Sequence, residues 1–109
     1  MKLVVTVIHD RDKHRTMDAL RSARYQFTQV ASTGGFLREG NITLLVGTED
    51  DELDTLLALI RESCKTREQY VNLVPPDATQ VGAFIPSPVK VLVGGAIAFV
   101  MDVERFERF

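Results

Sequence analysis

The sequence has a single cysteine, Cys64, and no tryptophan. One thiol excludes an internal disulfide and the paired-cysteine metal motifs, and it suits a reducing compartment, so a cytoplasmic location is expected. No stretch approaches the about 18 to 20 apolar residues of a membrane helix, so no membrane partner is expected. Positive charge is not in excess: 13 lysines and arginines stand against 15 aspartates and glutamates, a net charge of −2. That balance supplies no broad field for a phosphate backbone and excludes a nucleic acid polymer as the main partner, while local anion sites stay open. Met1 to Ile8 is apolar but has no cleavage-site pattern and runs into charged residues, so it reads as a strand rather than a leader. Proline is confined to Pro75, Pro76, Pro86 and Pro88.

What remains is a globular balance, 45% hydrophobic and 26% charged over 109 residues. This is enough for one core, so residues 1–109 are read as a single domain. Lys2 to Ile8 is valine- and isoleucine-rich and predicts a strand, with Asp12 as the N-cap of a following helix over Lys13 to about Arg24 whose inner face carries Met17, Leu20 and Ala23. Phe27 to Ser32 is extended, and Ile42, Leu44 and Val46 alternate as in a strand. Thr48, followed by Glu49, Asp50 and Asp51, predicts the start of a second helix with Leu53, Leu56, Leu57, Ile60 and Cys64 on one face.

The proline-bearing segment from Lys65 to Pro88 reads mainly as a long loop with a short extended piece at Tyr70 to Leu73. Val89 to Val93 and Ala96 to Met101 are strands meeting at Gly94 and Gly95. The order strand, helix, strand, strand, helix, strand is that of an α+β, ferredoxin-like (βαββαβ) domain. Val4, Ile8, Leu45 and Leu92 are expected on one sheet face, and Leu3, Val5, Val7, Leu44 and Val91 on the other. Two helices cover one face only, so the second apolar face predicts a homo-oligomer.

Two glycine-rich places can hold an anion or a ring. In Thr33-Gly34-Gly35-Phe36-Leu37-Arg38-Glu39-Gly40-Asn41 the glycines free the backbone so that amides converge on phosphate, Phe36 and Leu37 can flank a planar base, and Asn41 can both donate to and accept from its edge. An ordinary connecting turn with Phe36 in the core reads equally well. Gly94-Gly95 with Phe99 is a weaker second case, and a strand bend explains it as simply. His9, Asp10, Asp12 and His14 carry metal-ligand chemistry, but they straddle a strand end and a helix start, so no metal is expected. Cys64 reads as a small core residue, and nothing in the sequence assembles a nucleophilic centre.

The chain resembles the PII-like cyclic di-AMP receptors of the PstA/DarA type over nearly its whole length. The likeness rests on Met1-Lys2-Leu3-Val4-Val5 with Asp10 and Asp12, Ala31 to Leu37 with Gly40-Asn41, Gly47, Thr66-Arg67-Glu68-Gln69, and Pro86-Ser87-Pro88-Val89 through Val93-Gly94-Gly95-Ala96. The resemblance implies a non-catalytic, ferredoxin-like PII-like homotrimer that needs no cofactor. It also implies cyclic di-AMP bound in clefts between subunits, with Thr28 and Gly35 near the phosphates and Phe36, Leu37, Asn41, Gly47, Gly94 and Phe99 around an adenine. The 66–88 loop is then expected to relay binding to a downstream protein.

The sequence departs from the family at Gln26, where an arginine is usual, at His9 in place of a glutamine, and through Val74 to Phe84. A neutral glutamine makes a weaker phosphate contact than a charged one, and Arg24, Arg38 and Arg108 are the cations available to offset it. The alternatives are a PII-like sensor of another adenine nucleotide, a metal-dependent phosphodiesterase built on His9, Asp10, Asp12 and His14, and a purely structural oligomerisation module.

Overall fold

The structure is a computed structural model that describes residues 1–32, 40–72 and 88–109. Among these the elements run β1 (Lys2–His9), α1 (Lys13–Ser22), β2 (Phe27–Ser32), β3 (Asn41–Thr48), α2 (Leu53–Cys64), β4 (Arg67–Asn72), β5 (Pro88–Val93) and β6 (Ala96–Asp102). Short 3-10 turns at Asp10–Asp12 and Asp50–Glu52 lead into the two helices. The result is a mixed α+β arrangement of two helices with antiparallel sheets, compatible with a ferredoxin-like fold.

The main sheet has the order β2-β3-β1-β6 with every neighbouring pair antiparallel. Directly opposed residues share a face, so the pairs Val4↔Val46, Thr6↔Leu44 and Ile8↔Ile42 set one face of β1 and β3. That face meets the helices: Val4, Ile8, Ile42, Leu44 and Val46 are buried in one cluster with Leu20 of α1 and Leu56, Ile60 and Cys64 of α2. Each such side chain contributes roughly 1.5 to 3 kcal/mol when removed from water. Thr6 is polar within this layer and satisfies its hydroxyl by donating to the Ile97 carbonyl at 3.0 Å. Thr16 Oγ1 and Cys64 Sγ, 3.0 Å apart, join the two helices.

Leu44 therefore shares the helix face with Val4 and Ile8, while Leu45 lies opposite Val5 on the other face, reversing the grouping expected from sequence. Alternation along a strand is local, but which parity faces inward is fixed by register with a partner, and a shift of one residue inverts it. Val91 and Leu92 belong to neither face of this sheet, because β5 pairs only with β4 in a separate two-stranded ribbon. The second face of the main sheet carries Leu3, Val5, Leu45, Ile97, Phe99 and Met101, and Val30, Phe99 and Met101 are exposed there.

The expected caps differ as well. Thr48 ends β3 and donates to the Glu49 carbonyl instead of capping α2, which starts five residues later behind its acidic turn. Asp12 stands at the N-cap position of α1 but makes no capping bond; its carboxylate is taken by Arg67. The end of α1 follows a sound rule with an unusual residue. Arg24 N–H donates to Arg21 O and Tyr25 N–H to Leu20 O, a Schellman pattern, and Arg24 takes the left-handed φ of 66° normally given to glycine. The stretch expected to be mostly loop from Lys65 to Pro88 holds all of β4 and the first residue of β5.

Candidate functional site

One end of the main sheet opens into a cleft of about 820 Å³. Gln26 comes from just before β2 and Thr28 from its start, Leu45 and Gly47 from β3, and Phe106, Glu107 and Arg108 from the chain's C-terminal tail. The strands place them by register: Thr28 opposes Leu45 and Gly47 opposes Leu3, so Thr28, Leu45, Gly47 and Leu3 share the face not covered by helices. The tail is fastened by a hydrogen bond from Val103 N–H to the Met1 carbonyl at 3.2 Å. Gly47 is not required by the packing around it, since a Cβ there meets only Met1 Cε at 3.7 Å, an ordinary contact.

Charges beside this cleft are largely committed to one another. The N-terminal ammonium pairs with Asp50 at 2.8 Å and, by hydrogen bonding to it, holds that carboxyl below its ordinary value. Lys2 pairs with Asp102, and this hydrogen bond raises the lysine above its ordinary value. Arg105 pairs with Glu107 at 2.9 Å. On the neighbouring surface, lined by Arg24, Tyr25, Gln26 and Glu52, the Tyr25 phenol is raised by burial and by its hydrogen bond to Glu52 at 3.0 Å.

The other residues singled out from sequence lie elsewhere. Asn41 is buried at the first position of β3, between His9 and Ser32 in register, six residues from Gly47 and so about 20 Å away along the strand. Phe99 sits on β6 opposite Val5, 43% exposed. Gly94 is required by the fold: φ is 90°, and a Cβ lands 2.7 Å from the Lys65 carbonyl oxygen. Gly35, Phe36 and Leu37 lie outside the described residues. One chain thus brings Thr28 and Gly47 into this cleft, while Asn41, Gly94 and Phe99 do not line it.

Sequence reasoning missed the join between ribbon and main domain. Asp12 is fully buried, and its Oδ1 accepts from Arg67 Nη2 at 2.9 Å, while Oδ2 has no hydrogen-bond partner among the described residues. Gly95 N–H donates to the Cys64 carbonyl, so the entry and exit of the ribbon are tied within a few residues of the end of α2. Residues 12 and 67 are too distant in sequence for any local pattern to couple them. Burial, the main influence, pushes the nearby Cys64 thiol up, as befits a core residue rather than a nucleophile. A second cavity of about 510 Å³ lies between α2 and the small residues Ala96 and Ala98 of β6. Among the described residues no group of three or more His, Cys, Asp or Glu is placed to hold a metal ion, and no helix is long and apolar enough to cross a membrane.

Comparison with known proteins adds two findings. A family model described as cyclic-di-AMP receptor matches residues 1–109. The crystal structure of a functionally unknown protein from Pediococcus pentosaceus ATCC 25745 is similar at 33% identity and a TM-score of 0.79, covering 99% of this chain and 96% of that one.

Proposed function

The chain belongs to the cyclic-di-AMP receptor family, and from this premise we propose that it is a cytoplasmic, non-catalytic signalling protein: one domain over 1–109 that assembles as a homotrimer and binds cyclic di-AMP between subunits without a cofactor. The family match over the full chain carries the ligand assignment. Two structural observations support the assembly. The second face of the main sheet leaves Val30, Phe99 and Met101 exposed, a patch suited to burial against other copies. The candidate ligand residues Thr28, Gly47, Asn41 and Phe99 also share this uncovered face but are spread along it, which suits a ligand held where copies meet.

In this reading Thr28 and Gly35 lie near the phosphates, while Phe36, Leu37, Asn41, Gly47, Gly94 and Phe99 surround an adenine. Stacking on a phenylalanine contributes about 1 to 3 kcal/mol per base without choosing among bases. Asn41 and backbone amides supply the choice, because a wrong base leaves buried polar groups unpaired. The segment over 66–88 relays occupancy to a downstream protein, and the Arg67–Asp12 pair at its root gives that relay a fixed base. Gln26, neutral on the cleft wall, favours as a second reading a sensor of another adenine nucleotide.

Parallel calorimetric titrations with cyclic di-AMP, cyclic di-GMP and ATP test the proposal, with light scattering for the assembly. Saturable binding of cyclic di-AMP near one per subunit, weakened in Asn41→Ala and Phe36→Ala, is the expected result. Preference for ATP moves the assignment to the second reading, and a monomer in solution removes the subunit cleft.

A further inference from the structure

We infer that Arg108, on the C-terminal tail, is the cation that holds a phosphate of the ligand in the cleft formed with Gln26, Thr28 and Gly47. The inference rests on the proposed function and deepens it by naming the charged contact. Any cyclic dinucleotide brings two phosphodiester anions, and burying an anion without a charged or hydrogen-bonding partner is strongly unfavourable. The cleft wall at the head of β2 offers only neutral polar side chains, the Gln26 amide and the Thr28 hydroxyl, and the Glu107 carboxylate that also lines the cleft is paired with Arg105.

Three other cations near this end of the sheet are engaged. The Met1 ammonium is held by Asp50, Lys2 by Asp102, and Arg105 by Glu107. Arg108 lines the cleft and has no hydrogen-bond or ion-pair partner among the described residues. A guanidinium that is planar and multiply donating suits two phosphate oxygens at once. The tail that carries it is anchored at Val103 and sets Phe106, 63% exposed, along the same cleft. Arg24 is the nearest competitor, but it lines the adjacent surface with Glu49 and Glu52 and does not share the cleft with Thr28.

The test titrates cyclic di-AMP into the full-length protein and into Arg108→Gln, Arg24→Gln, Gln26→Arg and the Gln26→Arg/Arg108→Gln double variant, at two salt concentrations. Arg108→Gln is expected to weaken binding by roughly ten- to a hundredfold and to flatten the salt dependence, as loss of one charge-assisted contact does. Arg24→Gln is expected to change affinity by less than about threefold, and the double variant to regain most of the loss by returning a guanidinium to the β2 side of the cleft. Unchanged affinity in Arg108→Gln while the parent protein binds, or a loss that follows Arg24→Gln instead, overturns the inference and leaves the receptor reading intact. A parent protein that is folded and trimeric yet binds no cyclic di-AMP overturns both.

Discussion

The main sheet and the β4–β5 ribbon are both antiparallel and are held in different ways. In the main sheet Leu44 and Val46 of β3 and Val4 and Ile8 of β1 are wholly or almost wholly buried beneath two helices. In the ribbon Tyr70 is 68% and Leu92 is 72% exposed, and Val93, next to the root, is buried. A two-stranded pair has no apolar face of its own to bury and is marginal in water. Its order comes from its attachments: the Arg67–Asp12 pair, the bond from Gly95 N–H to the Cys64 carbonyl, and the close fit of Gly94 against Lys65. One region is stabilised by area and the other by a few contacts at its base.

The largest effect that can sharpen this contrast is a matched pair of leucine truncations. Leu44→Ala is expected to destabilise by about 2 to 5 kcal/mol, because a fully buried side chain leaves a cavity, while Leu92→Ala is expected to change stability by less than about 0.5 kcal/mol. Chemical denaturation of both variants measures the difference, and equal losses would show that the ribbon is buried in solution. Next comes the root. Arg67→Ala strands a fully buried Asp12 carboxylate whose Oδ2 has no partner among the described residues, at a loss of about 3 kcal/mol, the low end for a broken buried pair because the arginine is partly exposed. Hydrogen exchange of β4 and β5 should rise in that variant while β1 and β3 stay protected. Exchange that rises equally in both sheets breaks the distinction between them.

The smallest effect is a pH dependence centred on Cys64, which lies where the two regions meet. Burial raises the thiol above the ordinary 9.0, so the folded chain keeps this proton to a higher pH than the unfolded chain does. The thiol's contribution to stability is complete below about pH 9.0 and is lost as pH rises toward the raised folded value. Tyr25 and Lys2 are raised too and act in the same direction, so the comparison must be between variants. Denaturation midpoints between pH 8 and 10.5 should fall less steeply in Cys64→Ala than in the parent protein. Identical slopes would show that the thiol does not report on the junction.

The strands of the main sheet and the inner face of α2 were legible in the sequence because β-branched runs and a 3.6-residue repeat are local signals. Phe27 to Ser32 is extended in the structure with those same bounds, and Leu56, Ile60 and Cys64 are buried as their spacing implies. The inward face of β3 was not legible. Leu44 and Leu45 are adjacent and equally apolar, and only pairing with β1 decides between them. Of β4 only the part from Tyr70 onward reads as extended in the sequence, since its partner begins at Pro88 and Arg67 to Gln69 is polar. Of the candidate site, Thr28 and Gly47 came from resemblance and do share a cleft, whereas Phe106 was missed because nothing in a tail's own sequence says which part of the fold it lies against.

The diglycine corner has a mechanical consequence. β5 ends at Val93 and β6 begins at Ala96, so the chain leaves one sheet and enters the other across Gly94 and Gly95, each with φ near 90°. The angle between the ribbon and β6 is therefore set by four backbone torsions in two residues without side chains. β6 is clamped along its length by pairing with β1, so any change of angle at this corner must be taken up by the ribbon, and a Cβ at Gly94 would press on the Lys65 carbonyl and force the corner out of shape.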